Sequence, residues 1–415
     1  MKRLVSTFLL CYSKFTLATK GCEINPAEHY NSPLIIRPDS NELIYPKPGE
    51  KTVKFHQNEE IYFACPQNDS PNPSRIEGKA ICETGTNFKT ETDYIIDWAK
   101  SPCNNKISIS MQYTRKDCGP DGKEIKVGFD VQERGFISTM TICFDARNLI
   151  AQYSFTVLKA AGNGGLQKSM QRNMYKWFKL DLISDIYGNI SIDSLYKEKK
   201  QRSTINKLLG LPEDSTDFIK DKSTPELYLA RGHLTANADM FYPAERRSTF
   251  FIGNAVPQWQ LLNNKNWKRI EESIRKYGEE SELDLKVWTG IYGVASSPHK
   301  QNKKETKLYL YVNDDRKALP VPAHLWKLVY NPKSYLSVVF VGVNNPYITN
   351  YVPICENVTD KLGVEINHDY KNQGLCYACT FESFKEKVKI TLDIDNRGLL
   401  IFKKYPETSN KRDEF

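Results

Sequence analysis

Nowhere in the 415 residues does an apolar run approach the roughly 20 needed to span a bilayer, so the chain is expected to be soluble and to have no membrane partner. Histidine is scarce, six in all, and no histidine pair stands beside the cysteines. With no second CxxC either, nothing completes a four-ligand zinc site around Cys376-Tyr-Ala-Cys379. The one Gly-rich stretch, Gly162-Asn-Gly-Gly165, lacks the Lys-Ser/Thr of a nucleotide cradle and reads as a connection. No internal repeat or heptad array recurs, which removes solenoids and coiled coils. Neither sign of charge dominates: 58 basic against 50 acidic side chains leave +8. A basic excess this mild permits polyanion binding, yet ordinary solubilising charge explains it equally well.

What is present begins with an export signal. Met1-Lys-Arg is followed by a short apolar stretch from Leu4 to Tyr12 and by small residues around Ala18, the order of a cleavable leader over residues 1–18. Its loss would remove Cys11, Lys2, Arg3 and Lys14, leaving a charge of +5 and nine cysteines. In an extracellular, secreted chain those cysteines are disulfide partners before they are metal ligands. Nine is odd, so one thiol stays free, pairs between chains, or has Cys11 as a partner kept by a different cleavage point. Cys376-Tyr-Ala-Cys379 is expected to form disulfides, with Cys355 or internally. Asn68, Asn189 and Asn357 head glycosylation acceptor triplets.

Residues 19–135 carry five cysteines and short alternating runs such as Thr52-Val-Lys-Phe, and read as a disulfide-tied β-rich module. From 136 to about 405 the chain reads as a second domain. Blocks such as Leu285-Lys-Val-Trp-Thr-Gly-Ile-Tyr, Lys307-Leu-Tyr-Leu-Tyr-Val, Leu325-Trp-Lys-Leu-Val-Tyr and Tyr335-Leu-Ser-Val-Val-Phe-Val-Gly-Val are strand-like, with short helices between them. That pattern predicts an α+β fold on a central antiparallel sheet. Residues 406–415 form a charged tail, and Lys197-Glu-Lys-Lys-Gln-Arg202 is a basic surface run that could track a phosphate backbone but more commonly is only solvated.

Chemistry concentrates between Tyr228 and Tyr277. A short strand ending in Arg231-Gly-His233 precedes a second strand expected at Ser248–Asn254, the turn Ala255-Val-Pro-Gln258, and a helix from about Leu262 with Trp267, Ile270, Ile274 and Tyr277 at helical spacing. Asn263 or Asn264 would cap that helix. Asn263 and Glu271, eight residues apart, would then lie along roughly one side. A carboxamide oxygen and a carboxylate suit a hard cation such as Mg²⁺, with Mn²⁺ as the alternative. An imidazole as base, a cation and an arginine together address phosphodiester hydrolysis.

Arg231-Gly-His233, Asn254-Ala-Val-Pro-Gln258, Asn263-Asn-Lys-Asn-Trp267 and Glu271 resemble, in residues and spacing, the DNA/RNA non-specific endonucleases, the Serratia-nuclease-like ββα-metal family. Leu229-Ala-Arg-Gly-His-Leu, Trp288-Thr-Gly-Ile-Tyr-Gly-Val and Asn344-Asn-Pro-Tyr are most similar to its insect secreted branch of gut and salivary enzymes. The resemblance covers roughly residues 136 to 400. It implies that His233 is the general base, Asn263 the direct metal ligand, and Glu271 the holder of a metal-bound water. It also implies that Asn254 orients the histidine or a phosphate, and that Arg231, with Arg172 as a further candidate, balances phosphate charge. The substrates implied are DNA and RNA, single- or double-stranded, cut without base specificity to 5′-phosphate ends. Two departures stand out: Ala230 replaces the aspartate of bacterial members, and Asn237 stands where the insect branch commonly has lysine.

Each motif also has an ordinary reading. The helix could be merely amphipathic, with Asn a cap and Glu solvated. Trp259 and Trp267 could stack on bases but are more simply packing residues. The rival function is a secreted nucleic-acid-binding protein that keeps this fold with weak residual catalysis, motivated by Ala230 and Asn237. A third reading places function in the N-terminal module, for which no motif speaks.

Overall fold

The computed structural model describes residues 21–66, 76–131, 134–162, 175–221, 226–313, 316–348 and 350–402. Residues 1–18, Asn68, Arg172, most of the Gly162–Gly165 connection and the 406–415 tail lie outside those ranges.

The N-terminal module is β-rich, as its alternation predicts. Leu34–Ile36, Glu60–Ala64, Gly78–Thr84, Asn87–Thr90 and Ile95–Asp97 form a five-stranded sheet, and Gly21–Ile24 pairs with Val53–His56. Two disulfides, Cys22–Cys82 and Cys65–Cys103, tie it around Phe63, Phe88 and Trp98.

Four long strands then open the main sheet: β1 (Ser110–Gly119), β2 (Gly122–Val131), β3 (Gly135–Asp145) and β4 (Ile150–Leu158). Helix α1 (Glu198–Leu209), strand β5 (Leu229–His233), helix α2 (Pro243–Ser248), strand β6 (Ala255–Trp259) and helices α3 (Gln260–Asn264) and α4 (Asn266–Glu280) follow. The chain returns to the sheet with β7 (Leu285–Val294), β8 (Pro322–Asn331), β9 (Leu336–Val343) and β10 (Leu375–Cys379), then adds helix α5 (Phe381–Val388) and the short β11 (Gly398–Leu399). The nine-stranded order is β10-β9-β8-β7-β4-β3-β2-β1, antiparallel throughout, with β11 parallel on β9. The α+β class and central antiparallel sheet are as expected. Because β1 and β2 hydrogen-bond into the ladder of β3, the division expected at residue 135 falls inside a continuous sheet. The block at 307–312 does not join that sheet: Tyr309–Val312 pairs with Lys317–Pro320 in a separate hairpin.

Both faces of the sheet are covered, which is why β8 and β9 read as near-continuous apolar runs. Trp326, Val339, Val341 and Tyr377 pack under α5 through Phe381 and Phe384 on one face. Leu325, Val329, Val338 and Phe340 meet α4 through Trp267, Ile270 and Ile274 on the other. Gly342 permits the close fit of α4, since a Cβ there would stand 3.1 Å from the Trp267 ring.

The remaining disulfides are Cys118–Cys143, joining β1 to β3, and Cys355–Cys379. Cys376 and Cys379 cannot pair with each other, because three residues apart on one strand they point to opposite faces. Cys376 is the odd thiol, buried and free, and burial pushes its pKa well up. No helix among the described residues is long and apolar enough to cross a membrane.

Candidate active site

Two corrections reshape the motif. The second strand is not Ser248–Asn254. Pro243 at the first helical position, with the Glu245 carboxylate accepting the Tyr242 N–H at 3.0 Å, starts α2 instead. Phe250, Phe251 and Ile252 are then all buried in succession, which no half-buried strand allows, and Ile252–Asn254 is a tight turn. The strand is β6, in the segment expected to be a turn, with His233 opposite Ala255, Arg231 opposite Pro257 and Ala230 opposite Gln258. The helix is also broken. Lys265, at φ −114° and ψ −106°, separates α3 from α4, so Asn263 and Glu271 sit on different helices and their common face does not follow from one helical period. Neither Asn263 nor Asn264 caps α4: Asn263 Nδ2 donates to Gln260 Oε1 at 3.2 Å, and Asn264 Nδ2 to Glu226 Oε1 at 2.6 Å.

Gly232 is dictated by the hairpin. A Cβ there would collide with the side chain of fully buried Gln258, its Cβ only 2.6 Å away. On the opposite face of β5, Arg231 and His233 project together, as residues two apart on a strand do. The His233 imidazole is buried between Trp177, at 4.6 Å between ring centroids, and the edge of Phe250, at 4.8 Å. Trp177 also lies beneath the Arg231 guanidinium at 5.8 Å, and Tyr196 faces that guanidinium at 5.1 Å. Arg231 Nη2 is 2.6 Å from Asp193 Oδ1, so a carboxylate already holds the arginine expected to balance phosphate charge. Gln201 of α1 fastens β5 from behind, accepting the Leu229 N–H at 2.8 Å and donating to the Leu229 carbonyl at 3.3 Å.

Asn254 is wholly buried and committed to the backbone. Its Oδ1 accepts the Thr235 N–H, and its Nδ2 donates to the carbonyls of Thr235 and Thr249, each at 2.9 Å. It orients the chain two residues past His233 and has no amide hydrogen left for a phosphate. Asn237 is likewise structural, donating to the Arg246 carbonyl at 2.9 Å. Asn344 binds β6 to the main sheet through Trp259 N–H, Pro257 O and Pro322 O. Trp259 and Trp267 are almost completely buried packing residues and offer no exposed face to a base.

Glu271 is half-buried, and Lys327 Nζ from β8 lies 3.8 Å from its Oε1. One turn on along α4, Arg275 pairs with Asp239 at 2.8 Å, both nearly inaccessible. Burial pulls the Arg275 guanidinium down, but the carboxylates of Asp239 and then Glu271 outweigh it and hold its pKa above the ordinary value. Arg246 of α2 is buried, and its Nε and Nη2 have no hydrogen-bond partner. Burial lowers its pKa. Such a guanidinium is short of acceptors in the way an anion would satisfy.

No group of three or more His, Cys, Asp or Glu capable of holding a metal occurs among the described residues. Asn263 and Glu271, one amide oxygen and one carboxylate on partly exposed side chains, instead suit a hard cation that keeps most of its waters. Sequence reasoning missed Trp177, Asp193, Arg246, Arg275 and Lys327. Only Lys327 left a signal: a lone ammonium in the middle of an otherwise apolar strand block.

Comparison with known proteins gives the family. The model of the DNA/RNA non-specific endonuclease family matches residues 121–384. The chain is 30% identical over 408 residues to a salivary endonuclease of Lutzomyia longipalpis, covering 95% of this chain and 91% of that protein. It is 22% identical over 415 residues to the salivary protein Tsal2A of Glossina morsitans morsitans, covering 96% and 100%. To a salivary endonuclease of Culex quinquefasciatus it is 21% identical over 355 residues, covering 82% of each. With a buried histidine at the head of this hairpin and a family match across more than half its length, the chain belongs to the DNA/RNA non-specific endonucleases and is an enzyme of that class.

Proposed function

We propose that this protein is a secreted, Mg²⁺-dependent endonuclease that hydrolyses phosphodiesters of both DNA and RNA, with His233 as general base. The observation that carries the reading is the clamping of the His233 imidazole between Trp177 and Phe250 at the end of β5. A base held in one orientation can take a proton from water along a fixed line. His233 accepts that proton as the water oxygen attacks phosphorus. The bond from phosphorus to the 3′ oxygen breaks, the 3′ oxygen takes up a proton, and a 5′-phosphate remains.

Asn263 would hold the cation directly and Glu271 through a water. The cation, when bound, supplies positive charge at the leaving oxygen. Arg231 and Arg246 would offset charge on the scissile group; for Arg231 this means exchanging the exposed Asp193 carboxylate for a phosphate. Among the described residues no base-reading side chain is found at the site, in keeping with cleavage irrespective of sequence or sugar. Salivary relatives and four disulfides support export.

Purified protein incubated with plasmid DNA and double-stranded RNA, with and without EDTA, tests the reading. Cleavage of both that vanishes with EDTA and in His233→Ala is expected. Unchanged cleavage by His233→Ala, or salt-sensitive binding without turnover, would overturn it.

A further inference from the structure

Lys327 is 1% exposed, so its ammonium reaches neither solvent nor substrate. It has three N–H donors and faces three oxygens, each from a different part of the site. Thr289 Oγ1, directly opposite on β7, accepts at 2.6 Å. The carbonyl of Leu234, the residue after His233, accepts at 3.4 Å. Glu271 Oε1 on α4 is 3.8 Å away. A lysine held this way in an apolar layer is costly unless its charge is balanced. Asp239, Arg275, Glu271 and Lys327 form an alternating, electrically neutral set running from the turn after β5, along α4, to β8.

We infer that Lys327 is a positioning residue for the cleavage reaction: it fixes the Glu271 carboxylate relative to the backbone beside His233, joining the cation side of the site to the base side. The inference rests on the proposed function, in that it gives Glu271 and His233 the roles stated above. The geometry carries it because the one ammonium reaches both the carbonyl that follows β5 and a carboxylate of α4. Thr289 in turn aims the ammonium.

A double-mutant cycle on the full-length protein tests it. Lys327→Met should lower kcat about 100-fold, the scale of loss when a reacting group is misplaced by about 1 Å. KM for nucleic acid should stay unchanged, because Lys327 cannot touch the substrate. In a Glu271→Gln background the same substitution should cost less than about threefold more, because coupled residues are not additive. A merely structural lysine would instead give equal losses in both backgrounds. That additivity, or a rise in KM with kcat intact, would overturn the inference. Should Lys327→Met fail to fold, Thr289→Val removes one acceptor while keeping the charge and should lower kcat with KM unchanged; wild-type kinetics in that variant would refute the assignment.

A second readout needs no turnover. Mn²⁺ affinity, followed by the paramagnetic resonance of the free ion, should change with Lys327→Met when Glu271 is present and stay constant when it is Gln. If wild type cleaves nothing, the functional reading fails while this cycle still decides the role of Lys327. A Mn²⁺ affinity indifferent to Lys327 in both backgrounds would dismiss it.

Discussion

Asn254→Ala separates two roles that look alike in a sequence. If this asparagine touched substrate, its loss would reduce turnover and leave the fold intact. The structure spends all three of its usable hydrogen bonds, each at 2.9 Å and fully buried, on the Thr235 amide and the Thr235 and Thr249 carbonyls. Alanine would strand these groups without water, and a buried polar group left unsatisfied costs about 1–3 kcal/mol. Relaxation recovers part of the sum, so a loss of about 3–5 kcal/mol is expected, a large share of the roughly 5–15 kcal/mol that holds a native protein together. For a domain of this size the midpoint should fall by roughly 5–8 °C. Thermal unfolding by circular dichroism measures it, with cleavage assayed well below the variant's own midpoint. A midpoint unchanged within about 1 °C, together with lost turnover, would show that Asn254 acts on the substrate and that its backbone contacts contribute nothing measurable.

Gly232→Ala places a methyl against Gln258 and should abolish soluble expression; adding Gln258→Gly, which removes the clashing Cβ along with the rest of the side chain, should restore it, and failure of the rescue would locate the constraint elsewhere. Burial raises the pKa of Glu245, against the pull of the Tyr45 hydroxyl and the Tyr242 N–H. A carboxyl raised on folding contributes stability that is full below its unfolded pKa and lost as pH climbs through the folded value. Glu245→Gln should therefore gain stability relative to wild type as pH rises above about 4, the unfolded carboxyl value; urea melts showing a constant or opposite difference would refute this. Cys376, buried and raised by burial, should escape thiol reagents in the native chain from residue 21 onward and give one thiol per chain in denaturant without reductant. Two or more thiols would contradict the pairing of Cys355 with Cys379.

The strand blocks at 285, 325 and 335 were legible because their apolar runs are long and β-branched, and the Arg231-Gly-His233 strand because the rest of its motif follows at short range. What escaped is set by contacts over long separations. Ser248–Asn254 reads as a strand by its aromatics, yet the Pro243 and Glu245 signals upstream make it the exit of a helix. Asn254 looks like a phosphate ligand until its three backbone partners are seen. Lys327 is 56 positions beyond Glu271, and only the sheet brings them together.

The same contacts bear on the N-terminal module. Tyr45 inserts against Phe241 and Tyr242, and its hydroxyl donates to Glu245 Oε1 at 2.6 Å, while the Tyr242 hydroxyl donates to the carbonyl of Ile44. Glu245 belongs to α2, whose Arg246 carbonyl receives both the Asn237 amide and the Thr249 hydroxyl. Thr249 and Asn254 then fix Thr235, two residues beyond His233. A continuous series of polar contacts thus runs from the module to the strand that carries His233. A module that functioned alone beside a vestigial nuclease would have no need of it. Removing residues 22–135 would also take β1 and β2 from the main sheet and leave Glu245 buried without its tyrosine, so the module is tied through α2 to the segment that follows His233 rather than merely attached.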